Sequence, residues 1–223
     1  MLEIDLKKYK AFLFDFDGTL VNTDELHFQA YTKALHSIGV EYVSFEEHVR
    51  DFVGPHSNVV LENILRKQGK TVEAMDELLF LKRYIFSQLL MKQGVKPIDG
   101  VIELLNKLKE NNKKLAIVSG GNYTSIQKLM AFAGIPSYFD IIISKEAAHT
   151  PKPDPECYKM AMERLSVRPN DCIGFENDEL GIEALKKSGI ECVGISIHDF
   201  EDQVKRHKNE IKVIKSFKDI KLV

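Results

Sequence analysis

The 223-residue sequence has few of the features that mark disulfide-stapled, zinc-binding or membrane-spanning proteins. Its three cysteines, Cys157, Cys172 and Cys192, show no CxxC spacing, so we expect reduced, buried thiols. The seven histidines form no HxH or HExxH pattern, which argues against a histidine-ligated metal. No run of about 18 apolar residues is present, and we therefore expect no membrane as partner.

An excess of charge of one sign is also missing. The formal net charge is -2, and lysines and arginines are spread along most of the chain. This balance gives no electrostatic basis for nucleic acid as the main partner, whereas a small anionic ligand needs only a few local donors. The first ten residues are mixed and charged, unlike a secretory leader, and we expect a cytoplasmic protein.

Short apolar runs alternate with helical patterns over most of the chain, whose hydrophobic residues make up 44% and charged residues 29%. The apolar runs are residues 11–16, 114–118, 139–144, 172–175 and 192–195. The helical patterns between them are residues 101–108, 125–133, 157–165 and 179–188. Buried strands that alternate with helices predict an α/β fold with a doubly wound, Rossmann-like parallel sheet.

One long segment interrupts the alternation. From about residue 24 to residue 95 the apolar residues recur at helical spacing, with helices predicted over 27–38, 45–52, 58–68 and 74–90. A stretch of this length without a strand is too long for a simple crossover. We interpret residues 22–95 as an inserted all-helical domain, and residues 1–21 with 96–223 as the α/β core. An extra layer of a single domain is the alternative.

Two carboxylates, Asp15 and Asp17, follow the first predicted strand, at the sheet edge where ligands bind in open α/β folds. Gly18 allows the chain to turn so that both acids approach one space. Paired acids would repel a phosphate unless a cation neutralised them, and hard carboxylate oxygens suit Mg²⁺. A turn with two solvated acids is the alternative interpretation.

Three further loops are predicted at the same edge. The Ser119-Gly120-Gly121 turn offers a hydroxyl and backbone amides that can hold phosphate oxygens. Lys152 lies among three prolines, which stiffen the backbone that presents its charge. Residues 176–178 form an acidic loop that opens a helix. Each loop alone has an ordinary explanation, as a Gly-rich turn, a solvated lysine or a complement to a helix dipole. Their joint occurrence in this order favours one site.

Residues 11–20, 115–122, 150–155 and 172–189 resemble the four motifs of the haloacid dehalogenase superfamily of phosphohydrolases. Residues 22–95 look like its helical cap, and the closest subgroup in appearance is that of beta-phosphoglucomutase and phosphoglycolate phosphatase. The resemblance covers nearly the whole chain. It is specific for the superfamily and poorly specific for the substrate.

The resemblance implies catalytic roles for Asp15, Asp17, Ser119 and Lys152. Asp15 would attack phosphorus and become an aspartyl-phosphate, and Asp17 would protonate the leaving oxygen and then activate water. Ser119 and the Gly120 amide would hold phosphoryl oxygens, and Lys152 would offset negative charge. Mg²⁺ is the implied cofactor, and the expected metal ligands are Asp15, Asp17, Glu176 and Asn177.

The fourth motif departs from the family pattern. Where the subgroup has Glu-Asp-Ser, this chain has Glu176-Asn177-Asp178, so the site loses one negative charge unless Glu176 or Asp178 compensates. Three outcomes follow: weaker metal binding, Glu176 as ligand, or a protein that binds phosphorylated metabolites without turnover.

The cap of such proteins selects the substrate, and the resemblance implies substrate contacts for Thr23, His27 and Lys82. No arginine lies in the Gly54–Ser57 turn, where the mutase has one nearby, and this absence favours a phosphatase. We therefore expect a phosphatase acting on a small phosphorylated metabolite, as a monomer or weak homo-oligomer, with a sugar phosphomutase as the alternative. Dehalogenation is disfavoured because dehalogenating relatives lack the second aspartate, here Asp17.

Overall fold

The computed structural model describes residues 1–71, 73–135 and 137–223. The chain divides into two compact units. Residues Met1–Asn22 and Lys96–Val223 form the α/β unit, and residues Thr23–Val95 form the helical unit. The sequence analysis placed the two boundaries at 21/22 and 95/96.

The α/β unit is built on a six-stranded parallel sheet in the order β6-β5-β2-β7-β8-β9. These strands are β2 (Ala11–Phe14), β5 (Lys114–Val118), β6 (Ile141–Ile143), β7 (Cys172–Glu176), β8 (Glu191–Ile195) and β9 (Lys212–Ile214). From the central β2 the chain winds outward through β5 and β6, and later in the opposite direction through β7, β8 and β9. The predicted α/β class and doubly wound parallel sheet are confirmed.

Alternate residues of the central strands face two different layers. Ala11 and Leu13 belong to a core that includes buried residues of the helices α7 (Glu156–Leu165) and α8 (Glu179–Ser188). On the other face Phe12 and Phe14 stack on Phe175, with ring centroids 6.5 and 4.8 Å apart. Because both faces of β2 are fully buried, its sequence reads as a continuous apolar run.

The remaining helices of this unit are α5 (Val101–Glu110), α6 (Tyr123–Ala133) and α9 (Gln203–Arg206). Helix α8 has the predicted bounds. Each end of α5, α6 and α7 lies within two residues of its predicted position. Asn122 caps α6, since its side chain accepts the Ser125 N–H at 2.8 Å. Such capping fixes where the loops at the strand ends pass into helices.

Among the described residues, five short strands of two or three residues were not predicted from the sequence. Besides β9, the termini pair as β1 (Leu2–Ile4) with β10 (Ile220–Leu222). The segments that lead out of and back into the α/β unit pair as β3 (Val21–Asn22) with β4 (Lys96–Pro97).

The helical unit contains α1 (Asp24–His36), α2 (Phe45–Asp51), α3 (Ser57–Lys67) and α4 (Met75–Gln93), and its described residues form no strand. Its core joins Leu35, Leu61, Ile64 and Leu78 from three of these helices. Apolar residues recur three or four positions apart in α3, which is why the sequence predicts the helix.

The three cysteines are free and buried, which confirms that expectation. Burial raises the pKa of Cys157 to about 11 and that of Cys172 to about 12, so neither thiol ionises readily near neutral pH. Within the described residues, no helix combines the length and apolarity that crossing a bilayer requires.

Candidate active site

The carboxyl ends of three adjacent strands bring the first site residues together. Phe14 of β2 pairs in register with Ile117 of β5 on one side and with Phe175 of β7 on the other. The residues that follow these positions therefore emerge at one edge of the sheet. The Asp15 N–H donates to the Phe175 carbonyl at 3.0 Å, so the first acid continues the ladder before the chain turns.

Lys152 joins the acids of two of these strands. Its Nζ lies 2.7 Å from Asp15 Oδ1, 2.6 Å from Glu176 Oε1 and 3.0 Å from the Val118 carbonyl oxygen. The lysine side chain is 11% exposed and those of Asp15 and Glu176 are 8% and 0% exposed. Buried charges persist when they are paired and hydrogen-bonded, and this lysine has an acceptor for each of its three N–H groups.

A glutamate of the next helix orients the loop that carries Lys152. Glu156 accepts the backbone N–H groups of Thr150 at 2.6 Å and of His149 at 3.2 Å. These hydrogen bonds tie the start of the loop to the first residue of α7.

Negative charge exceeds positive charge in this cluster. Burial, above all, raises the pKa of Asp15, and the carboxylates of Asp178 and Asp17 raise it further against the opposing effect of Lys152. Burial also raises the pKa of Glu176 well above its ordinary range. The cluster would therefore gain from a further cation.

The turn after Asp15 depends on glycine. Gly18 has φ +80, and a Cβ on it would lie 2.0 Å from Asn177 Nδ2. The Thr19 hydroxyl donates to Asn177 Oδ1 at 3.2 Å. The Asn177 side chain is thus held against the turn that contains Asp17 and Gly18.

Ser119 and Asp17 both border Gly121. A Cβ on Gly121 would lie 3.2 Å from Ser119 Oγ and 3.7 Å from Asp17 Oδ2. Ser119 Oγ accepts the Gly121 N–H at 3.0 Å, and the neighbouring Gly120 is exposed. The predicted phosphate-binding turn therefore lies beside the carboxylate of the second acid.

Asp178 is the N-cap residue of α8, and its Oδ1 accepts the Gly181 N–H at 2.9 Å. It is 7% exposed, and its charge acts on Asp15, Lys152 and Glu176. The acidic loop therefore contributes one helix cap as well as charge.

The donor set fits Mg²⁺ in its chemistry. Among the described residues no group of three or more His, Cys, Asp or Glu side chains is arranged to hold a metal. Mg²⁺ does not require one, because it commonly binds one or two carboxylates, waters and substrate phosphate. Glu176 Oε2 is buried without a hydrogen-bond partner, and an orphaned carboxylate oxygen suits a cation. Asp15, Asp17, Glu176 and Asn177 remain predicted ligands.

The other predicted residues lie in the helical unit. Lys82 is buried, and its ammonium donates to His27 Nδ1 at 2.8 Å and to Ser57 Oγ at 3.3 Å. It lies 4.2 Å from the ring centre of Tyr31, at cation–π distance. Burial first, and then the charge of Lys82, lowers the pKa of His27 well below its usual value, so the imidazole is neutral and accepts. Thr23, the residue before α1, is fully buried.

One residue that contacts this cluster was not found from the sequence. Tyr158 of α7 is fully buried, and its hydroxyl donates to Glu176 Oε1. A tyrosine inside an amphipathic helix matches an ordinary core position, and only the three-dimensional contact distinguishes it.

A known protein family matches most of this chain. Residues 12–195 match the family model described as haloacid dehalogenase-like hydrolase. The chain belongs to the haloacid dehalogenase-like hydrolases, and it is therefore an enzyme of a hydrolase family.

Two phosphatases and one solved structure are similar to this chain over most of its length. The chain is 31% identical to validoxylamine A 7'-phosphate phosphatase of Streptomyces hygroscopicus subsp. limoneus, over 86% of this chain and 89% of the relative. It is 30% identical to a phosphorylated carbohydrates phosphatase of Thermotoga maritima, over 86% and 88%. Its fold resembles beta-phosphoglucomutase from Clostridium difficile with a TM-score of 0.80 and 24% identity, covering 96% of this chain and 93% of that one.

Proposed function

We propose that the chain is a Mg²⁺-dependent phosphatase that hydrolyses a small phosphomonoester, of the sugar-phosphate or phosphoglycolate kind, through an aspartyl-phosphate on Asp15. The observation that carries the proposal is the contact of the Lys152 ammonium with Asp15 Oδ1 at a strand end lined by Ser119 and Asp17. The two relatives named validoxylamine A 7'-phosphate phosphatase and phosphorylated carbohydrates phosphatase support the substrate class.

Asp15 supplies the nucleophilic oxygen in the first half-reaction. Its Oδ1 is held by Lys152, so the carboxylate is oriented, and the lysine offsets part of the charge of the incoming phosphoryl group. As the Asp15 oxygen bonds to phosphorus, the bond to the leaving oxygen breaks. Asp17 gives that oxygen its proton.

The second half-reaction uses Asp17 as a base. The Asp17 carboxylate takes a proton from water while the water oxygen attacks phosphorus, and the bond to Asp15 breaks. The products are free Asp15 and inorganic phosphate. The Ser119 hydroxyl, beside Asp17, donates to a phosphoryl oxygen in both halves. When bound, Mg²⁺ would neutralise phosphoryl charge, with Asp15, the Asp17 carbonyl, Glu176 and Asn177 as its ligands.

The helical unit would supply the contacts that select the substrate. Lys82 offers a buried positive charge whose position is defined by His27 and Ser57. Because His27 is neutral, it orients the ammonium without adding a second positive charge. We propose His27 and Lys82 as substrate-binding residues on this basis, and Thr23, which precedes α1, on the family resemblance.

The test is release of inorganic phosphate from an aryl phosphate and from a panel of sugar phosphates, with Mg²⁺ and with a chelator. We expect Mg²⁺-dependent release that Asp15→Asn lowers at least about 10³-fold, because an amide cannot replace the nucleophile. Asp17→Asn should lower it by roughly 10²–10⁴-fold, the usual contribution of general acid–base catalysis.

Asp171→Asn is the matched control, since Asp171 lies just before the amino end of β7 and pairs with Lys10 and Arg168. It should retain wild-type release. Equal release of phosphate by wild type and Asp15→Asn would refute Asp15 as the nucleophile. Conversion of a sugar 1-phosphate to its 6-phosphate without release of phosphate would instead identify a mutase.

A further inference from the structure

Tyr158 contacts the lysine–carboxylate cluster from inside the core. It is 0% exposed, and its hydroxyl donates to Glu176 Oε1, the same oxygen that accepts from Lys152 Nζ. The ammonium of Lys152 also lies 5.4 Å from the centre of the tyrosine ring. The hydroxyl carries the proton of this hydrogen bond, since a carboxylate oxygen accepts.

The position of Lys152 depends on Glu176. A lysine ammonium has three N–H donors, and here their acceptors are Asp15 Oδ1, the Val118 carbonyl and Glu176 Oε1. The Val118 carbonyl is a backbone group at the end of β5, so its position is fixed by the strand. A shift of the Glu176 carboxylate would therefore rotate or displace the ammonium relative to Asp15.

The Glu176 carboxylate has few other restraints. Its Oε2 is buried without a hydrogen-bond partner. One side of the carboxylate lies against the backbone of α8, where a Cβ on Gly181 would come within 2.1 Å of the carboxyl carbon. Among the described residues the side chains that donate to this carboxylate are those of Lys152 and Tyr158. Lys152 cannot position itself, which leaves the tyrosine hydroxyl as the independent hydrogen-bond donor to the carboxylate.

We propose that Tyr158 is a positioning residue of the phosphatase reaction: through its hydrogen bond to Glu176 it keeps the Lys152 ammonium on Asp15. The inference rests on the proposed function, in which Asp15 is the nucleophile. The hydroxyl of Tyr158 donates to Glu176, so it acts on Asp15 through the glutamate and the lysine.

The α/β unit contains a matched control for this contact. Tyr9, also buried, donates to Glu191 Oε2, and Lys8 Nζ donates to the same oxygen at 2.6 Å. Tyr9 precedes β2 and Glu191 starts β8, so this lysine–glutamate–tyrosine group lies at the opposite edge of the sheet from Asp15. Tyr158→Phe and Tyr9→Phe each remove one tyrosine hydroxyl that donates to a glutamate.

The experiment measures kcat and KM for an aryl phosphate, together with Tm, for wild type, Tyr158→Phe and Tyr9→Phe. We expect Tyr158→Phe to lower kcat roughly 10- to 100-fold, the usual effect of losing a hydrogen bond behind a functional group, with KM changed less than about twofold. Tyr9→Phe should leave kcat within about twofold of wild type. An unchanged kcat in Tyr158→Phe, or an equal loss in both variants, would overturn the inference.

A double-mutant cycle tests whether Tyr158 acts through Lys152. In a Lys152→Ala background the change of Tyr158 to Phe should have less than about a twofold further effect on kcat. A further loss as large as that in the wild-type background would show a route that does not involve the lysine, and would overturn the inference.

Crystal structures of wild type and both variants give a readout that needs no turnover. We expect the Lys152 Nζ to Asp15 Oδ1 contact, 2.7 Å here, to lengthen beyond hydrogen-bond distance in Tyr158→Phe alone. If wild type released no phosphate, the proposed function would fail while this distance still decided the positioning role. An unchanged distance in Tyr158→Phe would refute it.

Discussion

Asn177 occupies the position where the resemblance leads us to expect an aspartate, and its surroundings explain how the asparagine is accommodated. Its Oδ1 accepts from the Thr19 hydroxyl, and its amide nitrogen lies against Gly18, which has no side chain to displace it. An amide oxygen can still bind Mg²⁺, but it brings no negative charge. The nearby Asp178 is already occupied in part by capping α8.

We expect Asn177→Asp to tighten Mg²⁺ binding. The substitution keeps the shape of the side chain and adds one negative charge beside the turn that carries Asp17. The dissociation constant for Mg²⁺ should fall on the order of tenfold, equivalent to about 1.4 kcal/mol. Titration calorimetry on wild type and variant measures this without any substrate.

Asn170→Asp provides the control for the added charge, because Asn170 is exposed and precedes β7 at the other edge of the sheet. Its dissociation constant for Mg²⁺ should match that of wild type. Equal tightening in both variants would assign the effect to net charge alone, and no tightening in Asn177→Asp would remove residue 177 from the metal site.

Individual site residues differ in how far the sequence could predict them. Asp15 follows β2, Glu176 ends β7 and Lys152 belongs to a stiff loop, and the structure brings these three into contact. Tyr158 could not be found in this way, since its partner Glu176 is 18 residues away and no local pattern links the two. Hydrogen bonds between separate elements depend on how the elements pack, and no local sequence motif marks them.

Helices of the α/β unit approach the sheet closely where a strand carries glycine. A Cβ on Gly174 of β7 would lie 2.4 Å from Leu185 Cδ2 of α8, and a Cβ on Gly194 of β8 would lie 2.4 Å from Val204 Cγ1 of α9. Gly181 has the same role within α8, where a Cβ would overlap the Glu176 carboxylate. The glycines thus set the spacing between layers and, at residue 181, the room for a charged group.

Alanine at residues 174 and 181 should have different consequences. Gly174→Ala forces an extra methyl group against Leu185 and should lower the free energy of unfolding by about 1–3 kcal/mol, with kcat per folded molecule retained. Gly181→Ala would gain about 0.5–1 kcal/mol from helix propensity in an open site, but here it displaces Glu176 and should lower kcat. Denaturant unfolding and kinetics on both variants check this. Retained kcat in Gly181→Ala would contradict it.

The helices of seven or more residues and the strands with a continuous apolar run were predictable from the sequence, and the other short elements were not. Helix α8 was predicted with its observed bounds because Gly189 follows its last residue, in the position where helices favour glycine. In the structure Gly189 has φ +76, and Asp178 caps the start of the helix. The strand β9 was missed because its three residues, Lys212–Ile214, begin with a charged side chain and are too few to show a period, whereas the equally short β6 lies in a continuous apolar run. The pairing of Leu2–Ile4 with Ile220–Leu222 joins the two ends of the chain, and neither segment indicates the other.

At the scale of the whole molecule, the chain leaves and re-enters the α/β unit at one place. Asn22 is the register partner of Lys96, and Val21 is the partner of Pro97, in an antiparallel pair. The two points of the α/β unit between which the helical unit is inserted are therefore adjacent, and this pairing uses no residue of the helical unit. A two-residue turn is sufficient to join antiparallel strands at such a point.

We expect the α/β unit to fold when residues 23–95 are replaced by Asn-Gly, because its sheet and cores consist of its own residues. The shortened chain should unfold in one cooperative transition, with the far-UV circular dichroism of a mixed α/β protein. A control with residues 96–97 also removed lacks the β3–β4 pair and should be less stable. A disordered spectrum for the shortened chain would show that the α/β unit depends on the helical unit.

The β3–β4 pair also has an evolutionary consequence. Because two short strands hold the entry and exit of the chain side by side, any inserted sequence whose ends meet at that spacing could replace the present one by recombination. The strand ends that carry Asp15, Ser119 and Glu176 would be inherited unchanged, while the insert was free to diverge. Under the proposed function, lineages built on this plan could exchange the substrate-selecting segment as a module while the residues proposed for catalysis stayed the same.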